Sequence, residues 1–201
     1  MLGHLVKEAI KASFGGFESL IDVPGTLGGA IVMNAGAYGS EICNYIKHVN
    51  SIDLNGEEKK YKKENINFSY RKTSFNGKEI IVSAEFDCIK KNSNKIKTNS
   101  KKASIKRKES QPLKYRSAGS VFMNPSKEIS AGFLIDKAGL KGKRVGGAEI
   151  SEKHANFILN VDNAKSKDVL DLISLIKREV YKKFNIELKL EIKYLTNNEK
   201  N

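Results

Sequence analysis

The chain has 201 residues, enough for one large core or two small ones. Hydrophobic residues make up 39% and charged residues 29%, a globular balance, and no apolar run approaches the roughly 20 residues of a membrane helix. The formal net charge of +13 raises nucleic acid as a partner, but much of the excess lies in Lys90–Lys108, which has no acid and no aromatic residue to stack on bases. The expectation is therefore no nucleic-acid partner, no membrane, and a basic field suited to anionic small molecules such as nucleotides.

Leu5–Ser13 places Leu5, Val6, Ala9, Ile10 and Ala12 close to helical spacing, and Gly15-Gly16 ends the run. Residues 24–39, PGTLGGAIVMNAGAYG, are the densest glycine stretch of the chain. Small apolar residues separate the glycines, so the segment reads as a buried turn, a short apolar run and a second turn. Glycine lets a ligand approach main-chain N–H groups with no Cβ in the way, which suits a large, flat, anionic cofactor. Ile46–Leu54 and Glu57–Tyr61 flank Asn55-Gly56, the signature of a hairpin with a type I′ turn. Tyr70 and Arg71 precede a Thr-Ser turn. Ile80–Ile89 reads as a strand with Val82, Ala84, Phe86 and Cys88 on one face. The basic stretch that follows reads as a solvated connector, dividing the chain into residues 1–90, 91–108 and 109–201.

Beyond the connector, Ser117–Pro125 is a Gly-and-Ser turn entering an apolar run, with Ser120 after Gly119 and a sharp exit at Asn124-Pro125. Ser130 caps a helix over Ala131–Ala138, and Gly139 fits its C-terminal end. Val145–Ala148 and Phe157–Val161 read as strands. Ser166 caps a last helix, Asp168 favours its positive end, and Val169, Leu172, Ile173, Ile176, Val180 and Phe184 share one face. Ile186–Leu195 alternates as a final strand, with Glu191 between Lys189 and Lys193 on the polar face. The pattern is α+β in two parts. Cys43 and Cys88 have no metal-ligand spacing and read as buried free thiols in a reducing, cytoplasmic setting, and His4, His48 and His154 form no local cluster, so no metal is expected. The N-terminus shows no secretory pattern. No G-x-S-x-G frames Ser120, which points to a proton donor or ligand before an acyl nucleophile.

It is the order of these pieces that carries a resemblance. PGTLGGAIVMNAGAYG, FSYRKTSF, the Gln-Pro and SAGSVFMNP of 111–125, AGFLIDKAGLKGKRVGGAEISEKHANFILN, NAKSKDVLDLI and LEIKYL resemble, in register from about Leu5 to Leu195, the UDP-N-acetylenolpyruvoylglucosamine reductase family, in its shorter type II branch. The resemblance implies the second lobe of a vanillyl-alcohol-oxidase-type FAD-binding domain, followed by an α+β substrate-binding domain. It implies FAD and NADPH as cofactors and reduction of a UDP-sugar enolpyruvyl ether in peptidoglycan precursor synthesis. By the family's motif Arg71, Ser120 and Glu191 are catalytic: Arg71 and Glu191 hold the substrate carboxylate and Ser120 donates a proton to carbon. Pro24, Gly25, Thr26, Gly28, Gly29, Asn34 and Gly36 match the flavin-wrapping segment, and Tyr70, Asn124, Lys141 and His154 match substrate contacts. His154 stands where some members have Gln, Met123 where many have Lys, and Arg116 where many have Pro. The family's first FAD lobe, with its Gly-Ser-Asn loop, has no counterpart before Met1, which suggests a truncated frame or association with a separate N-terminal lobe. Two other readings stand beside this one: a catalytically inactive remnant, and a basic nucleic-acid-binding protein.

Overall fold

The computed structural model describes residues 1–75 and 77–195. The chain folds as two compact units, Met1–Arg107 and Lys108–Asn201.

The first unit begins with helix α1 (Leu2–Lys11), which buries Leu2, Val6 and Ala9. Ser13 in the left-handed region, at φ 61°, turns the chain into strand β1 (Phe14–Gly15). Helix α2 (Leu27–Val32) occupies the middle of the glycine segment, so the apolar run there is helical, and Thr26 caps it by accepting the Gly29 N–H. Strands β2 (Gly36–Ala37) and β3 (Ser40–Glu41) then form a tight hairpin. Its two loop residues, Tyr38 (φ 52°) and Gly39 (φ 81°), are both left-handed, the requirement of a type I′ turn. Strands β4 (Ile46–Asp53) and β5 (Glu58–Lys62) make the expected hairpin, but its turn is different. Of Asn55 and Gly56 only Gly56 has positive φ (87°), because the Asp53 carboxylate accepts the N–H groups of Asn55 and Glu57 and holds a wider loop.

Strands β6 (Phe68–Ser69) and β7 (Lys72–Thr73) flank Tyr70 and Arg71, which are themselves the turn and do not precede it. Strand β8 (Glu79–Phe86) lies against β4, giving the antiparallel order β5-β4-β8. The expected alternation breaks within it. Ser51 pairs with Ile81 but Asn50 with Ser83, so Val82 is the extra residue of a bulge and stands exposed, away from Ala84 and Phe86. Strand β9 (Ile89–Lys90) pairs with β1. The core gathers Leu2, Val6, Phe17, Leu20, Ile31, Ile42, Ile46 and Val49.

The basic stretch is not a linker. It forms helix α3 (Ser93–Ser110), opened by the Asn92 side chain accepting the Lys95 N–H and anchored by buried Ile96 and Arg107. The division between the units falls in its last turn.

The second unit is a four-stranded antiparallel sheet covered by two helices. Its strands are β10 (Arg116–Ser120), β11 (Arg144–Val145), β12 (Ala148–Ile150) and β13 (Phe157–Asn160), in the order β10-β13-β12-β11. The stretch expected as one strand over 145–148 is a hairpin, turned at Gly146-Gly147. Helix α4 (Ala131–Lys137) is capped by Ser130, whose Oγ accepts the Phe133 N–H, and Gly139 follows its end at φ 74°. Helix α5 (Ser166–Phe184) buries Leu172, Ile173, Ile176 and Val180, each worth about 1.5–3 kcal/mol of apolar burial. Its cap residue is Lys165, not Ser166. The work falls to Asp168, whose carboxylate accepts the N–H groups of Lys165 and Gly147 and is thereby held below the usual carboxylate range. Residues 186–195 do not form the expected continuous strand: they make a single bridge, Phe122 to Leu190, with Leu188 buried in the core.

Candidate active site

In the first unit, candidate residues lie on α2, the segment after it, and the β6–β7 hairpin. Arg71 occupies the second position of that two-residue turn at φ 56°, a conformation that costs a non-glycine residue on the order of 1 kcal/mol. Its guanidinium is half-buried, donates to the Gly36 carbonyl at 3.0 Å, and lies 5.0 Å from the centre of the exposed Tyr70 ring. The hairpin is tied down from both sides. Thr73 Oγ1 donates to the Val32 carbonyl at 2.9 Å, and Asn34 Nδ2 donates to the Ser69 carbonyl at 3.1 Å.

Asn34 is fully buried, and its amide is fully used. Nδ2 also donates to Glu41 at 2.8 Å, and Oδ1 accepts the Cys43 N–H at 3.4 Å. Its place is therefore inside the support of the Arg71 turn. Two glycines of the segment serve packing as well. A Cβ at Gly28 would stand 3.3 Å from Ile81, and one at Gly36 would stand 2.7 Å from the Ser40 carbonyl. The surface on offer to a flat ligand is narrower: Pro24, Gly25, Thr26 and Gly29 are exposed, and above Gly25 (φ 121°) nothing stands within 4 Å of where a Cβ would be. Those four residues fit a flavin-wrapping role. Cys43 and Cys88 are half-buried free thiols, not buried ones, and desolvation pushes both thiols up, with Glu41 adding to the effect at Cys43.

In the second unit Ser120 ends β10. Ser117 pairs with Leu159 and Ser120 with Phe157, so three residues on one strand oppose two on the other. Gly119, at φ 87°, is the left-handed residue of this bulge, and it turns Ser120 out of the regular ladder into a half-buried position. The next residues are clamped. Asn156, itself buried, accepts the Phe122 N–H at Oδ1 (2.9 Å) and donates Nδ2 to the Phe122 carbonyl (2.8 Å), while its own carbonyl accepts the Val121 N–H. Across from this clamp the N–H of Glu191 donates to the Val121 carbonyl at 2.9 Å, and that of Met123 to the Lys189 carbonyl. Glu191 thus sits, half-buried, on the segment running beside Ser120.

Asn124, Lys141 and His154 belong to the same unit. Asn124 Oδ1 accepts the Ala131 N–H and so helps start α4. Lys141 pairs with Asp136 at 2.8 Å. His154 packs edge-on to Phe157 with ring centres 4.7 Å apart, and its Nδ1 accepts the Asn156 N–H at 3.3 Å, which places the proton of the neutral ring on Nε2. Burial, and then the Lys141 charge, hold its pKa below the ordinary histidine value. Asn156 and Thr73 escape sequence reasoning. The signal for Asn156 was present, an amide inside the apolar run Ala-Asn-Phe-Ile-Leu; Thr73 gives none. Among the described residues no group of three or more His, Cys, Asp or Glu is placed to hold a metal ion, and no helix is long and apolar enough to cross a membrane.

Residues 111–195 match the family model for the C-terminal domain of UDP-N-acetylenolpyruvoylglucosamine reductase. The whole chain is similar to curated proteins of that name. It is 46% identical to one from Thermosipho melanesiensis over 95% of this chain and 66% of the relative, and 41% identical to one from Caldicellulosiruptor bescii over 97% and 63%. The crystal structure of a UDP-N-acetylenolpyruvylglucosamine reductase from Thermus caldophilus superposes with a TM-score of 0.84 at 37% identity, over 96% of this chain and 68% of that one. The chain therefore spans about two thirds of the length of the relatives it matches.

Proposed function

The chain belongs to the UDP-N-acetylenolpyruvoylglucosamine reductase family, and from that premise we propose that it carries the acid and the carboxylate-binding groups of an NADPH- and FAD-dependent reduction of a UDP-sugar enolpyruvyl ether. The product would be the lactyl ether UDP-N-acetylmuramate, a peptidoglycan precursor. The first unit is read as the second lobe of a vanillyl-alcohol-oxidase-type flavin domain, with Pro24, Gly25, Thr26 and Gly29 at its cofactor surface, and the second as the substrate domain. A flavin, when bound, supplies hydride. The rest falls to the protein. Arg71 holds the substrate carboxylate and stabilises the negative charge that develops on it. Glu191 positions that carboxylate, as a hydrogen-bond donor when protonated. Ser120 delivers the proton to the α-carbon. A serine hydroxyl is a weak acid, so it acts only where the acceptor is strongly basic and the O–H is held within reach. Tyr70, Asn124, Lys141 and His154 would contact the nucleotide sugar. The reading makes this a cytoplasmic enzyme that works with a first flavin lobe.

The observation that supports this most is the glycine bulge that sets Ser120 beside the Glu191 segment. A proton donor needs that kind of fixed, half-sheltered placement, whereas a turn residue does not. Ser120→Ala tests it, with flavin, NADPH and the enolpyruvyl UDP-sugar supplied. Reduction of the substrate is expected to slow by at least about a hundredfold while oxidation of NADPH by the flavin is spared. Equal loss in both half-reactions would make Ser120 a structural residue and remove the assignment.

A further inference from the structure

We propose that an open cleft in the first unit, between α3 and the β2–β3 turn, binds a pyrophosphate-class anion. The cleft holds about 400 Å³, within the range of small-molecule sites and larger than a pyrophosphate alone needs. One wall is a face of α3: Asn99, Lys102, Ala103 and Lys106 recur at the i, i+3, i+4, i+7 spacing. Only Ala103 of the four is apolar, so this face of the helix is not there to bury surface. Lys102 and Lys106 are one turn apart, and two ammonium groups at that spacing repel. Lys91 adds a third ammonium from the end of β9, its stem lying over Gly15. The single carboxylate of the lining, Glu18, is engaged by the Gly16 N–H at 2.5 Å.

The opposite wall supplies hydroxyls. Tyr45 and Ser40 lie 3.3 Å apart and share one hydrogen bond, which leaves one of their two O–H groups for a ligand. Ser19 also lines the cleft, and its Oγ is buried with no hydrogen-bond partner, a state that usually marks an absent water, ion or ligand. Tyr38 sits at φ 52° in the type I′ turn, a position where glycine is far cheaper. The strain keeps an aromatic hydroxyl at the cleft, with the Lys106 ammonium 4.9 Å from its ring centre. Clustered ammonium groups beside fixed hydroxyl donors are what a diphosphate needs: charge-assisted contacts to several oxygens at once. The site does not depend on the reductase reading, since no group of that chemistry takes part.

Calorimetric titration of the chain with inorganic pyrophosphate at low salt tests it, with UDP as a second arm. The expected result is one saturable site, weakened at least tenfold by Lys102→Gln with Lys106→Gln. Lys97→Gln with Lys101→Gln, the same charge change on exposed positions of α3 outside the cleft, should alter it less than twofold. Tighter binding of UDP than of pyrophosphate would mean that the anion arrives on a nucleotide; equal binding would mean that it arrives free. No saturable binding, or equal weakening by both lysine pairs, would reduce the cleft to diffuse net charge and overturn the proposal.

Discussion

The turn that carries Arg71 and the strand that carries Ser120 are both short pieces of antiparallel sheet, yet they are held by different means. The Arg71 hairpin has two residues per strand and borrows its rigidity from side chains far away in sequence, Asn34 and Thr73. The Ser120 strand lies in a four-stranded sheet and is bonded to β13 on one side and to residues 189–192 on the other. A side-chain support fails when one residue is changed; a backbone support fails only where a side chain has been inserted into it. In the second unit that place is Asn156.

Asn156→Leu should therefore give the largest loss of stability. It removes a donor and an acceptor and leaves the N–H and carbonyl of Phe122, a residue 1% exposed, without those partners. About 3 kcal/mol is expected from two buried groups at roughly 1–3 kcal/mol each, read from denaturant midpoints. A loss under about 1 kcal/mol would show that neighbouring backbone bonds carry the strand unaided.

In the hairpin, the residue that stabilises and the residue that acts should separate. Asn34→Asp keeps the shape but replaces two donors with a carboxylate facing Glu41 and the Ser69 carbonyl. A loss of about 2 kcal/mol is expected at neutral pH. Two carboxylates at one site raise each other's pKa in the folded state, so the folded form takes up protons more readily and the penalty shrinks as pH falls. Arg71→Gly should behave oppositely: one hydrogen bond is lost, about 1 kcal/mol, and about 1 kcal/mol of left-handed strain is relieved, leaving the denaturation midpoint nearly unmoved while substrate reduction is abolished. A marked destabilisation by Arg71→Gly would mean that the arginine is kept for the hairpin.

These supports mark the limit of what the sequence could tell. The amphipathic α5, the Ser130 cap of α4 and the order of the motifs follow from local patterns and were legible. Bulges at Val82 and Gly119 were not, because they depend on how many residues the partner strand sets opposite. The type I′ turn fell at Tyr38-Gly39 and not at Asn55-Gly56 because Asp53, two residues upstream, supplied a competing acceptor. The basic stretch reads as a linker by composition, since only Ile96 and Arg107 among its larger residues become buried once it is helical. Asn34 looked like a ligand-binding amide because sequence shows the group and not its partners.

The smallest expected effect concerns His154 and compares the units by pH. In the second unit burial and Lys141 hold the pKa of this residue below its ordinary value of 6.5, so the folded state favours the neutral ring. The unfolded chain takes up the proton first as pH falls. The stability that neutral His154 contributes is therefore present above about pH 6.5 and is lost progressively below it, down to the lowered folded value. The Nδ1 acceptor of the Asn156 N–H disappears with the same protonation, so the loss reaches the residue that clamps Phe122. His154→Gln keeps a polar side chain and removes the titration. Denaturant midpoints of the two proteins should run parallel between pH 7 and 8 and diverge from pH 6.5 to 5, the histidine protein falling more steeply. Parallel curves through the acid range would show that the ring is solvated enough to protonate in place and has no part in holding the Ser120 strand.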